Sequence, residues 1–156
     1  MVAGTEVRVH VTFLLLLAGI GWLLFAQGGG AAALDGVLFI LAVFACVLLH
    51  EFGHVLMARQ FGVRTPDITL LPIGGMARME KMPDEPWQEL LVAVAGPAVN
   101  VVIGGVLLVV FGFPGTMPEE PETFLLNVPF GQRLMIVNLT LVVFNMIPAF
   151  PMDGGR

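Results

Sequence analysis

Residues 46–57, CVLLHEFGHVLM, set two histidines and a glutamate (His50, Glu51 and His54) into an otherwise apolar run. No charged residue occurs between Gly36 and Leu49. Titratable groups are costly where water is scarce, so an apolar block that keeps three of them invites a chemical reading.

Composition supplies the setting. The chain has 156 residues, 57% hydrophobic and only 12% charged, with a mean hydropathy of +0.92. A soluble domain carries roughly 25% charged residues. The apolar residues come in long blocks, which predicts an all-α polytopic membrane protein rather than a soluble core. The net charge of −5 is spread over short loops, and no basic patch points to nucleic acid. The single cysteine, Cys46, excludes an internal disulfide and a CxxC metal site. It reads as apolar filling.

A bilayer core of ~30 Å needs about 20 apolar residues as helix. Four spans are expected, at about 9–26, 36–61, 87–111 and 133–150, forming one core domain over 1–156. The breaker QGGG follows the first, and GGGAAALDG beyond it also resembles a signal-peptide cleavage site. Asp35 is the expected N-cap of the second, and PDEPWQE, with Pro86 near the first helical position, starts the third. Between spans two and three, residues 63–82 contain DITLL and MARM. They are expected as a short membrane-associated β-hairpin.

Lysine and arginine orient the spans. With the N-terminus cytoplasmic, the inner segments hold Arg8, Arg59, Arg64, Arg78, Lys81 and Arg156, and the outer ones only Arg133. The protein is expected in the cell membrane with this orientation.

His50 and His54 stand four apart and stack on one helix face, so both imidazoles can reach one metal ion. Glu51 is offset but near enough to act on a metal-bound water. This is the H-E-x-x-H arrangement, with zinc on the histidines and the glutamate as general base. A hydrolytic zinc usually takes a third protein ligand, and His10 and Asp153 are the options. His10 lies at the inner start of span one and reads as an interfacial residue. Depth favours Asp153: from Asp35 to His50 is about 22 Å of helix, and from Arg133 to Asp153 at most about 30 Å. Both sites then fall in the inner third of the bilayer.

HEFGH in the second span, AGPAVN in the third and FNMIPAFPMDGG ending the fourth together resemble the site-2 protease family of intramembrane zinc metalloproteases. LPIGGMARME resembles the branch without an inserted PDZ domain, whose members often carry CBS domains. The resemblance implies that His50, His54 and Asp153 bind zinc and that Glu51 activates water. It implies a transmembrane helix as substrate, such as a membrane-anchored regulator or a signal-peptide remnant, and leaves a homo-oligomer open. Asn145 matches the family asparagine near the catalytic centre and would donate to the carbonyl under attack; the other reading has it satisfy backbone freed by Pro148. Asn100 reads as a hydrogen bond between helices, and Gly96 with Pro97 as a close approach and a bend. The hairpin around Ile73–Met76 could pair with an unwound substrate by strand addition. Family members usually continue beyond the aspartate motif, so a chain ending at Arg156 reads as a truncated core. The competing expectations are an inactive core, a metal transporter, which has no need of Glu51 beside His50, and a haem protein, which would pair histidines across helices.

Overall fold

The structure is a computed structural model that describes residues 5–65, 67–71, 74–78, 85–115 and 127–146. Its elements are strand β1 (Glu6–Val9), helix α1 (Val11–Gln60), strands β2 (Asp67–Leu71) and β3 (Gly74–Arg78), and helices α2 (Pro86–Phe111) and α3 (Phe130–Met146).

Helix α1 is two helical arms joined at Gly29, whose φ of 70° and ψ of −164° are non-helical. Glycine takes positive φ without the Cβ penalty other residues meet, so one residue reverses the chain. The arms fold back on each other: the Phe13 and Phe44 rings lie 4.3 Å apart, and a Cβ on Gly36 would collide with the Leu24 side chain. The two segments expected as spans one and two are therefore both helical, but helix runs up to Gly29 from both sides in place of a loop. This corrects the role expected of Asp35. It lies within the helical run, not at its start, and its carboxylate accepts from Arg133 of α3 at 2.6 Å.

The second arm stops where Gly62 takes a φ of 76° and the Gly62 and Val63 amides bond back to Arg59 and Ala58. Val63 then packs with Ala58 and Val92. Strands β2 and β3 form the expected antiparallel hairpin. Strand β1 was not expected; it adds to β2 in parallel, Glu6 opposite Asp67 and Val9 opposite Leu70, in the order β1-β2-β3. Buried Thr5 anchors this sheet by donating to the Thr65 carbonyl at 2.9 Å. The fold is mostly helical with one small sheet, the expected hairpin extended by β1.

Helix α2 begins as its sequence predicts, with Pro86 in the first turn and Glu85 as N-cap. Helices α1 and α2 are long and apolar enough to cross a membrane, and only 22% of the most apolar window of each is buried. Large side chains point outward along both, Trp22 and Val109 among them. A soluble core helix would bury that surface. Helix α3 is apolar but shorter.

Candidate active site

The second arm of α1 carries His50, Glu51 and His54, all buried, with 4%, 8% and 4% of their surface exposed. The arm meets α2 closely. A Cβ on Gly53 would stand 2.6 Å from the Ala95 carbonyl oxygen, so glycine is what permits the approach.

Imidazole Nδ1 of His54 lies 2.7 Å from the Val92 carbonyl oxygen of α2. A carbonyl only accepts, so this nitrogen carries the proton and Nε2 presents a lone pair. A backbone acceptor of this kind is the usual partner that fixes a metal-binding histidine's tautomer. The two Nε2 atoms of His50 and His54 converge to 3.2 Å, with ring planes 81° apart. Two Zn–N bonds of ~2.0–2.1 Å at a tetrahedral angle would set their nitrogens about 3.3 Å apart. The pair therefore fits a zinc ion by geometry and donor type.

Gly96 of α2 backs onto this pair. A Cβ there would collide with Nε2 of His54 and stand 2.8 Å from Nε2 of His50. The sequence predicted a close approach at Gly96; the partner proves to be the imidazoles. From α3, the buried Asn145 brings its amide nitrogen to 3.5 Å from Nε2 of His50. Asn145 thus approaches His50, and Pro148, the partner in its other reading, lies outside the described residues.

His50, His54 and Asn145 come together, and Glu51 is buried next to His50 in the chain; Asp153 lies outside the described residues, as do parts of the hairpin and of span four. Among the described residues no group of three histidine, cysteine or acidic side chains forms. The alternative ligand His10 is exposed, and its Nδ1 lies 2.7 Å from the Thr12 hydroxyl and accepts from the Thr12 amide, capping α1. Cys46 is buried and free, as expected of filling. Asn100 is fully buried, and neither amide atom has a hydrogen-bond partner among the described residues, so the expected bond between helices is not made there. Asn138, unmarked in the sequence reading, is also fully buried, donates to the Leu134 carbonyl, and leaves its oxygen without a partner there.

Residues 38–128, more than half of the chain, match peptidase family M50. The chain belongs to that family. It is 42% identical to a zinc metalloprotease of Methanocaldococcus jannaschii over 99% of its own length and 42% of the relative's. To a putative zinc metalloprotease of Synechocystis it is 39% identical, over 82% of its length and 32% of the relative's. The chain thus spans less than half the length of these relatives. In structure it is similar to the site-2 protease from Methanocaldococcus jannaschii, with a TM-score of 0.73 and 36% identity, covering 100% of this chain and 66% of that one. The M50 match takes in the histidine motif and AGPAVN and ends before Asn145.

Proposed function

We propose that this chain is the catalytic core of an intramembrane zinc metalloendopeptidase that cuts peptide bonds within or near transmembrane segments. The observation that carries the reading is the convergence of the two Nε2 atoms at 3.2 Å, on an apolar helix, with a carboxylate one residue away. The M50 relatives, zinc metalloproteases by name, support the metal and the reaction.

His50, His54 and Asp153 would hold the zinc. When bound, zinc supplies Lewis acidity that acidifies water and polarises a peptide carbonyl. Glu51, as general base, takes the proton from the attacking water and returns it to the leaving amine. Asn145 donates its amide to the carbonyl oxygen as negative charge develops there. The buried site excludes bulk water, which strengthens each of these interactions.

The chain crosses the cell membrane four times, with both arms of α1, α2 and the segment that begins with α3, and its N-terminus is cytoplasmic. A helical substrate hides its carbonyls in its own hydrogen bonds, so it unwinds before cleavage. β3 borders the sheet, and the unwound segment can pair along it. The substrate is a membrane-anchored protein.

Substituting Glu51→Gln keeps the side chain's size and leaves the zinc ligands in place. The variant is expected to hold normal zinc and to cleave a synthetic transmembrane peptide about 10²–10⁴-fold more slowly, the usual contribution of a positioned base. Asp153→Ala should instead lower zinc content. Near-normal cleavage by Glu51→Gln would remove the mechanism, and full zinc content in Asp153→Ala would place the third ligand elsewhere.

A further inference from the structure

The buried positions of α2 include Val92, Gly96, Asn100 and Gly104, spaced by fours and therefore one stripe along the helix. The stripe has a defined environment. Val92 offers its carbonyl to His54, Gly96 backs onto both histidine rings, and Gly104 faces Leu139 and Asn138 of α3. Asn100 stands between the last two, one turn from Gly96. Helical side chains lean toward the helix N-terminus and cover the preceding turn. On that lean the Asn100 side chain is directed toward the turn of Gly96, whose own side-chain space the two histidine rings occupy.

Asn100 is 0% exposed, and neither its nitrogen nor its oxygen has a partner among the described residues. A buried amide that bonds to nothing is unfavourable, and more so in hydrocarbon. Helix-to-helix bonding does not account for it, because no such bond is made among the described residues. What would satisfy it must bring both a donor and an acceptor. A peptide group from an unwound segment brings both, and the site beside it is one that needs its substrate unwound.

We propose that Asn100 is a substrate-binding residue whose carboxamide pairs with one backbone peptide group of the unwound segment, next to the bond that is cut. The proposal rests on the protease reading above. It assigns the AGPAVN segment two tasks: Gly96 makes room at the metal site, and Asn100 holds the chain that enters it. Asn145 and Asn100 then act on different atoms. Asn145 serves the carbonyl under attack, and Asn100 a neighbouring peptide group that keeps the segment extended.

The test uses the full-length protein in lipid nanodiscs and a synthetic transmembrane peptide cut by the wild type. Asn100→Leu and Asn100→Ala should keep wild-type zinc content, and Asn100→Leu, which leaves no cavity, should melt no lower than wild type, because it removes a buried amide without a partner among the described residues. Both should cleave about 10–100-fold more slowly, the loss of one or two hydrogen bonds at net strength. A second series replaces single backbone amides of the peptide by esters near the cut. One ester position should slow the wild type but cause no further loss in Asn100→Leu, since the contact is already gone. Wild-type cleavage by Asn100→Leu, or an ester penalty unchanged in that variant, overturns the proposal and leaves the amide to a buried water. A wild-type protein that holds zinc and does not cleave would instead overturn the protease reading, and this proposal with it.

Discussion

The molecule buries polar groups at two levels, and it treats them differently. Near Gly29, the Arg133 guanidinium, its side chain 3% exposed, meets Asp35 at 2.6 Å and lies over the rings of Phe39 and Phe130 at 4.9 and 5.6 Å. Opposite charges face each other, and aromatic faces cover the cation. Near the histidines, like groups face each other instead. The two Nε2 atoms converge, the Asn145 amide approaches them, and a glycine withholds its side chain to leave them room. The first arrangement sets opposite charges against each other. The second brings donor atoms of one kind to one point, as the proposed zinc site requires. Polar burial alone therefore does not distinguish structure from chemistry; the direction in which the lone pairs point does.

The largest effect that tests this contrast is expected at Gly96. Alanine is the better helix former by about 1 kcal/mol, so Gly96→Ala should not weaken α2 itself. Its Cβ, however, would occupy the space of the His54 and His50 nitrogens. The rings or the helix must shift by roughly an ångström, a displacement that can cost about 10²-fold in rate. Zinc content and cleavage should fall together while the protein still folds. Normal zinc content in Gly96→Ala would show that the close approach is ordinary packing.

How far the sequence revealed each level follows from how far apart its partners lie along the chain. The His50–Glu51–His54 arrangement was legible because helical spacing brings i and i+4 together without reference to anything else. Gly96 was legible as a close approach but not as a wall of the histidine site, since its partner lies on another helix. The Arg133–Asp35 bridge joins residues 98 apart, and charge counting placed both on the same side without pairing them. β1 was missed for the same reason: four residues pair with a strand about sixty positions on, and a run as short as EVRV carries no distinctive signal of its own. The Gly28–Gly30 run was read as a loop because three glycines usually break a helix, whereas the structure spends only Gly29 on the reversal. The resemblance to intramembrane proteases was legible from three short motifs, and the M50 match agrees with it.

A medium effect is expected at the Arg133 bridge. Arg133→Met removes the charge and keeps much of the side chain's bulk over Phe39 and Phe130. Removing one partner of a fully buried pair costs about 3–5 kcal/mol, but Asp35 is 46% exposed and water can take up part of its loss. A destabilisation of about 1–3 kcal/mol is expected on that discount, read as a lower melting temperature in detergent. Zinc content and cleavage measured well below that melting point should match the wild type. Slower cleavage at unchanged stability would show that this level also serves the reaction, and the contrast between the two would fail.

The smallest effect is expected at His10, the histidine that competes with Asp153 for the third ligand position. Its Nδ1 lies close to the Thr12 hydroxyl and accepts from the Thr12 amide, and its exposed side chain caps the first arm of α1. Loss of a helix cap costs about 0.5–2 kcal/mol, and an imidazole accepting at 3.3 Å in water belongs at the lower end. His10→Ala should therefore lower the melting temperature by a degree or two, and His10→Asn, a better cap, should restore it. Neither variant should change zinc content or the rate of cleavage. A measurable fall in zinc in His10→Ala that added zinc reverses would give the exposed histidine a ligand's role, and the site would then extend beyond the buried face of α1.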